Sequence, residues 1–345
     1  MFIPAKQQAE TEILPSPRQS LIVCFKRFGG QLVLVGTTEH EGPANVRRAA
    51  QDCLGAELPS VLPVFDHLDY LLCGQAFCAR GVAYAGGITR NGVSVTGTGD
   101  TLAQALISVA GETAEAALAA RLDGDVARGH AGYGAAQSMK AASDHAIHEV
   151  LERHFVRRWW AGGAGHLLGQ NHPAYGVVNA RMGQRTTRAT LLIHVADLSI
   201  AQVVVAVSFA QNGRDFCFGA ACRPDLVQAC LSAGMELVQA EVGLDIARYK
   251  RDTFDAQHLS VHNVNDLRLA QDIDLPGFLA SGLVFSDKSN KPVPCEGTDA
   301  LAGIDTIELG TFETVFNVAA AVRAKSCGLA VAPGPSPPFS HLNLY

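Results

Sequence analysis

Pairs of acidic residues recur at one spacing in this sequence. In two stretches of helical periodicity, two glutamates lie three positions apart, and a third stretch has a glutamate and a glutamine at the same spacing. Residues three apart on a helix share one face, so each pair projects as a unit. Carboxylates held close together repel one another unless cations neutralise them, and their oxygen atoms suit Mg²⁺. The pairs are Glu112 with Glu115, Glu149 with Glu152, and Glu236 with Gln239.

The pairs belong to three longer segments that align without gaps: "ALISVAGETAE" (105–115), "ASDHAIHEVLE" (142–152) and "ACLSAGMELVQ" (229–239). Each begins with an alanine two turns before the pair, where a small residue allows close helix packing. For any one segment, an amphipathic helix with solvated carboxylates explains the pattern. Three copies favour converging helices with a nucleotide held through metal, since the chain has no GxxxxGK[ST] motif.

Composition excludes several classes of function. The 345 residues carry a net charge of −6, which argues against binding to nucleic acid or to anionic membranes. No uncharged apolar run of about 18 residues predicts a membrane span, and the polar start "MFIPAKQQAETEILPSPRQS" does not resemble a signal peptide. The nine cysteines lack metal-ligand spacing and indicate ordinary thiols in a reducing compartment. We expect a cytoplasmic protein.

Strand-like and helical runs alternate along the chain without a clean linker, which predicts a single α+β unit. We assign residues 1–90 to an N-terminal extension or small α+β segment and residues 91–345 to the main domain with a proline-rich tail. Helices are predicted over 42–58, 101–122, 138–160 and 224–249, and strands over 21–37, 189–198, 201–210, 215–223 and 311–324.

The order of these motifs resembles the YcaO superfamily. "TGTGDTLAQALISVAGETAEAAL" is similar to its S-x-x-x-E-x-x-E-R helix, and "GYGAAQSMKAASDHAIHEVLERHFVRRWW" to its alanine-anchored helix ending in E-x-x-E-R. "FCFGAACRPDLVQACLSAGMELVQ" looks like its helix ending in E-x-x-Q. The resemblance covers about residues 90–250 and the C-terminal strand. It implies a YcaO-like fold, with mixed β-sheets packed with helices around a nucleotide cavity.

The resemblance also implies a site for ATP and Mg²⁺. The residues that match the family motifs at the nucleotide are Ser108, Glu112, Glu115, Gln137, Glu149, Glu152, Arg153, Glu236 and Gln239. The implied metal ligands among them are Glu112, Glu115, Glu149, Glu152 and Glu236.

The tail carries a further match. Pro333, Pro335 and Pro337 form a P-x-P-x-P sequence, which resembles the C-terminal signature of azoline-forming members. Here eight residues follow it, ending at Tyr345. The resemblance implies that the prolines and the Tyr345 carboxylate act at the catalytic centre. The ordinary alternative is a flexible or polyproline II end.

The implied activity is ATP-dependent activation of peptide backbone amides. The product would be azolines from Cys, Ser or Thr, or a related thioamide or amidine, in the maturation of a ribosomally made peptide. The chain shows no peptide-recognition domain of usual length. We therefore expect a precursor peptide as substrate, a leader-peptide-binding partner protein, a flavin dehydrogenase as a further partner, and an oligomeric assembly.

Four positions depart from the family pattern. Ala116 stands where the first motif has arginine, Ala141 where glutamate is frequent, and Ser232 where a basic residue is expected. Thr98 stands where lysine is frequent. The departures favour an alternative: a degenerate YcaO-like scaffold that positions the peptide or a partner dehydrogenase without catalysis. A ribosome-maturation accessory is a third interpretation, against which the proline tail argues.

Overall fold

The computed structural model shows an α+β protein with three sheets and flanking helices. It describes residues 21–28, 31–54, 59–76, 78–79, 81–119, 131–162, 165–182, 188–198, 200–253, 261–285, 295–296 and 303–323. Among these residues, no helix is long and apolar enough to cross a membrane.

The first sheet is antiparallel and follows chain order. Its strands are β1 (Leu21–Phe28), β2 (Gln31–Glu41), β3 (Leu68–Gln75), β4 (Ala83–Thr89) and β5 (Ser94–Gly99). A core of buried apolar side chains joins this sheet to α1 (Pro43–Leu54), a 3₁₀ helix (Pro59–His67) and α2 (Leu102–Ala119). Strands on both sides of residue 90 share this sheet, and the division of the chain near that position stays a prediction.

The second sheet has the order β10-β9-β8-β7-β11, with β12 beside β8. Its strands are β7 (Gly165–Leu167), β8 (Arg188–Leu198), β9 (Gln202–Ala210), β10 (Cys217–Arg223), β11 (Val284–Phe285) and β12 (Cys295–Glu296). The helices of this part are α3 (Met139–Trp160), α4 (Pro173–Met182), α5 (Leu226–Thr253), α6 (Val261–Asp272) and α7 (Leu275–Ala280).

Strand β9 is apolar except at Gln202 and Ser208, as expected for a strand that is buried on both faces. Val204 and Ala206 pack into a core that α4 and α5 share. Val203, Val205 and Phe209 face the other core, where Trp159 and Trp160 close helix α3. The two tryptophans therefore anchor the end of α3 against the second sheet.

The third sheet explains the C-terminal apolar run. It has the order β13-β14-β6, with β13 (Ile304–Phe312), β14 (Phe316–Arg323) and β6 (Ala131–Ala136). The single strand predicted over 311–324 is wrong. These residues comprise the end of β13, a turn and the whole of β14, so they form part of a hairpin. Glu313 and Thr314 adopt left-handed backbone angles (φ 48° and 59°) without a glycine or asparagine to signal the turn. Helices α4, α6 and α7 are also absent from the sequence prediction, which places a loop where α4 begins.

The other predicted helices and strands are confirmed within a few residues at each end. The proline tail lies outside the described residues.

Candidate active site

The candidate site is built from one strand–helix unit that occurs three times: β5–α2, β6–α3 and β10–α5. Each helix begins at a side chain that accepts a hydrogen bond from the backbone N–H three residues on. The capping residues are Thr101 (3.2 Å), Ser138 (3.3 Å) and Asp225 (2.9 Å). Each cap lies four residues before the alanine that opens an aligned segment. The three sequence copies are therefore three structural copies in one register.

Glycines in the strands let each helix lie directly against its own strand. A Cβ at Gly97 would lie 2.8 Å from Val109 N, and one at Gly134 would lie 2.7 Å from Ala146 N, a contact closer than real Cβ atoms show. Gly219 in the third unit is equally crowded, with Ala233 O at 2.5 Å from the added atom. This close approach brings the acidic pairs over the backbone of the strands.

Among the residues that the structure describes, each strand of the repeat is the edge of a different sheet, so one row of its backbone groups has no partner strand there. Helix side chains pair with these groups instead. Glu149 accepts a hydrogen bond from Tyr133 N in β6, and Glu236 accepts one from Ala220 N in β10 at 3.3 Å. Both bonds span 16 residues, as the shared register requires.

In two of the units the second member of the pair hydrogen-bonds to the strand of the following unit, and in the remaining unit it lies near that strand. Glu115 on α2 accepts a hydrogen bond from Ala135 N in β6 at 2.7 Å. Gln239 on α5 accepts one from Thr96 Oγ1 (2.8 Å) and donates one to Thr98 Oγ1 (3.2 Å), both in β5. Glu152 on α3 acts on Cys222 in β10, where its charge adds to burial in raising the pKa of the thiol to about 12. The three units thus close into a ring.

The ring brings together five carboxylates, which we call the acidic site: Glu112, Glu115, Glu149, Glu152 and Glu236. Burial is the largest cause of a raised pKa at all five, and neighbouring carboxylates raise the pKa further at all but Glu149. The pKa values of Glu112 and Glu236 are about 7. Glu112 is nevertheless exposed and the others are half-buried. The carboxylates are therefore crowded by protein groups and by one another, while water still reaches them.

Two arginines oppose this charge. Arg153 forms an ion pair with Glu149 and donates a hydrogen bond to Ala131 O at 2.6 Å, so it satisfies the edge of β6 as well. Arg223, at the end of β10, lowers the pKa of Glu236 and Glu152 against the larger effect of burial. Sequence reasoning missed Arg223, although its place three residues after Ala220 marks the end of the third strand.

The carboxylates are not arranged as a closed metal cage. Within the described part of the chain, no three His, Cys, Asp or Glu side chains are grouped closely enough to hold one ion. Mg²⁺ in phosphate sites uses one or two carboxylates together with phosphate oxygens and water. The excess of carboxylates over neighbouring arginines and the pairwise spacing of the carboxylates fit such an ion.

The remaining predicted residues differ in position. Ser108 is half-buried on α2, one turn before Glu112, and its Cβ lies against Gly97. Gln137 is exposed, and its backbone oxygen accepts a hydrogen bond from Asn317 Nδ2 at 2.8 Å. Pro333, Pro335, Pro337 and Tyr345 lie outside the described residues.

Comparison with known proteins agrees with this architecture. Residues 122–290 match the family model of the YcaO cyclodehydratases, described as binding ATP and Mg²⁺. No curated protein sequence matches the chain significantly.

Among solved structures, the E. coli microcin synthetase McbBCD complex is similar at 9% identity and a TM-score of 0.54, covering 74% of this chain and 87% of that one. The same complex with pro-MccB17 bound gives 9% identity and a TM-score of 0.51 over the same shares. YcaO from Methanopyrus kandleri bound with AMPPCP and Mg²⁺ gives 14% identity and a TM-score of 0.47, covering 81% of this chain and 89% of that one.

Proposed function

Because this chain belongs to the YcaO family, we propose that it uses ATP and Mg²⁺ to activate backbone amides of a ribosomally made peptide. The observation that carries this proposal is the convergence of five carboxylates from three helices, all with raised pKa values. Such a charge excess is costly unless cations bind beside it. A nucleotide triphosphate with its metal supplies cations and oxygen ligands together.

We assign the metal to the acidic site and the phosphates to the guanidinium groups beside it. Bound Mg²⁺ would neutralise the carboxylates and the charge that develops on the transferred phosphoryl group. Arg153 and Arg223 lie beside carboxylates of the acidic site. Their guanidinium groups would therefore orient phosphates next to the metal. Ser108 and Gln239 offer neutral hydrogen bonds from two different helices.

In the proposed reaction, a nucleophile attacks the carbon of a peptide amide. The amide oxygen accepts the γ-phosphoryl group of ATP and leaves as phosphate, which yields an azoline when the nucleophile is a Cys, Ser or Thr side chain. The proton released by the nucleophile would pass to a carboxylate of the acidic site that does not ligate the metal, or to the terminal carboxylate of the chain. The same chemistry with an external sulfide or amine would give a thioamide or amidine.

We propose that the chain works beside other proteins. The microcin synthetase that shares the fold is a complex of several chains and has been seen with pro-MccB17 bound. By analogy, the substrate here is a precursor peptide presented by a leader-binding partner, and a flavin dehydrogenase could act on the product.

We propose a catalytic role for the tail on its sequence alone. Three alternating prolines favour an extended strut with a low ordering cost, which could place the Tyr345 carboxylate near the acidic site. Deletion of residues 333–345 should then lower turnover strongly and leave nucleotide affinity nearly unchanged. Removal of 338–345 alone restores a terminal P-x-P-x-P and separates the prolines from the overhang.

The test of the proposed function is a thermal melt of the purified chain with Mg-ATP, with ATP plus a chelator, and with Mg²⁺ alone. Saturation at about 100 times Kd should stabilise the protein by about 2.7 kcal/mol. Glu149→Gln should remove the effect of Mg-ATP, whereas Lys140→Gln, on an exposed turn of the same helix, should retain it.

A melt that Mg-ATP leaves unchanged, with and without a partner protein, would overturn catalysis. It would favour the scaffold alternative, which the replacements at Ala116, Ala141 and Ser232 support.

A further inference from the structure

A second ionic cluster lies on α5, on the side away from Gln239. Glu241 follows Gln239 by two residues, which is about 200° around the helix. Its Oε1 accepts a hydrogen bond from Ser208 Oγ in β9 at 2.5 Å and lies 3.1 Å from Nε of Arg188, the first residue of β8. The side chain of Glu241 is 1% exposed and that of Arg188 is 10% exposed. Charges this deep are tolerated only with well-placed partners.

The cluster holds α5 at a second point and reaches the turn before β10. Arg188 donates hydrogen bonds to Ser208 Oγ at 3.0 Å and to the backbone oxygen of Asp215. The Asp215 carboxylate in turn accepts from both terminal nitrogens of Arg248, two turns beyond Glu241 on α5. We call these five residues the paired network: Arg188, Ser208, Asp215, Glu241 and Arg248.

Helix α5 is therefore fixed by polar bonds in three directions. Glu236 points to Ala220 N in β10, Gln239 to the threonines of β5, and Glu241 to β8 and β9. Apolar contacts also hold the helix, but they tolerate small rotations that repack without loss of buried area. Hydrogen bonds in three directions, by contrast, can all form at only one rotation of the helix. A rotation of α5 that broke the Glu241 contacts would also move Glu236 and Gln239.

We propose that Arg188 and Glu241 are positioning residues: the paired network fixes the rotation of α5 and so sets where Glu236 and Gln239 stand in the acidic site. The proposal rests on the proposed function for its consequence, but not for its geometry. The geometric part of the proposal makes no use of a bound nucleotide and can be tested on the ligand-free chain.

The first measurement is hydrogen exchange of the Ala220 amide, which donates to Glu236. In Glu241→Gln, a substitution that keeps the shape and removes the charge, we expect this amide to exchange at least about tenfold faster, since breaking a buried pair is strongly destabilising. The central amides of β9 should keep their protection. Phe65→Leu creates a cavity in the core of the first sheet. It serves as a control, because we expect it to lower Tm about as much as Glu241→Gln does. It should leave Ala220 exchange unchanged.

The second measurement separates positioning from packing. Arg188→Met combined with Glu241→Met replaces the pair by apolar side chains of similar volume, which often restores stability. We expect the double variant to recover Tm, to keep fast exchange at Ala220, and to bind Mg-ATP about tenfold more weakly than wild type.

Recovery of both Tm and Ala220 protection in the double variant would overturn the proposal, because packing alone would then suffice. Unchanged Ala220 exchange in Glu241→Gln would overturn it as well. If wild type fails to bind Mg-ATP while Glu241→Gln loses protection at Ala220, the proposed function fails and the positioning role stands.

Discussion

The acidic site and the paired network both include residues of helix α5, but they differ in how their charges are balanced. In the acidic site, five carboxylates face two nearby guanidinium groups among the described residues, and burial raises the pKa of each acid. In the paired network, the carboxylates of Glu241 and Asp215 are bonded to arginines at close range. In the paired network, arginines of the chain oppose the carboxylates one for one, whereas in the acidic site we propose that bound cations complete the balance. The contrast separates a structural role from a binding role along a single helix.

The largest expected difference is in stability. Arg188→Met leaves Glu241 buried without its cation and should cost about 3–5 kcal/mol of unfolding free energy. Glu152→Gln removes one of several repelling charges, so the ligand-free protein should keep its stability or gain some. Urea unfolding of the two variants against wild type measures both effects. Equal losses would show that the acidic site is paired internally as well.

The next effect concerns ligand binding, and here the variant in the acidic site should show a large loss. Glu152→Gln should lose most of the stabilisation by Mg-ATP, about 2.7 kcal/mol at 100 times the wild-type Kd. A surface variant on the same helix, Asp144→Asn, is the matched control, because its carboxylate pairs with Lys140 in solvent. If Glu152→Gln keeps the full shift, the second acidic pair does not hold the metal.

Much of this contrast was accessible from the sequence, and the reasons are local. The i,i+3 pairs, the preceding alanines and the glycine-rich strands follow from helix and strand geometry, so the repeat could be recognised before the structure. The paired network could not. Arg188 and Glu241 are 53 positions apart in sequence, and nothing near either residue indicates that β8 and α5 bring them together. Arg223 was missed because its role depends on a carboxylate of α3 as well as one of α5, which only the fold brings together.

The pH dependence should also distinguish the clusters. In the folded protein Glu112 and Glu236 have pKa values of about 7, against an ordinary 4.5. The folded state therefore retains protons that the unfolded state has released, and the stability this gives is complete below pH 4.5 and lost as pH rises through 7. Ligand-free wild type should lose Tm as pH rises from about 4.5 to about 7.

The double variant Glu112→Gln with Glu236→Gln isolates this effect. His145 and His148 have pKa values lowered mainly by burial, so their contribution is lost as pH falls and opposes that of the carboxylates. Both proteins contain the histidines, so the difference between their Tm–pH curves reports the carboxylates alone. Saturating Mg²⁺ with ATP should flatten the wild-type curve towards that of the variant. Parallel curves without ligand would contradict the raised pKa values.

The smallest predicted effect concerns the contact between the third unit and the first, which is made by neutral side chains. Gln239 stands where the other two units carry glutamate, and it bonds Thr96 and Thr98 of β5 through their hydroxyls. Each neutral hydrogen bond is worth about 0.5–1.5 kcal/mol. Thr96→Val and Thr98→Val, which keep the side-chain shape, should therefore weaken Mg-ATP binding about 2- to 10-fold and leave its magnesium dependence unchanged. Ser94→Ala, at the exposed start of the same strand, is the control and should bind as wild type does. Calorimetric titration with Mg-ATP resolves these differences. If either valine variant matches Ser94→Ala, the corresponding bond does not position Gln239, and the third unit contributes to the acidic site through Glu236 alone.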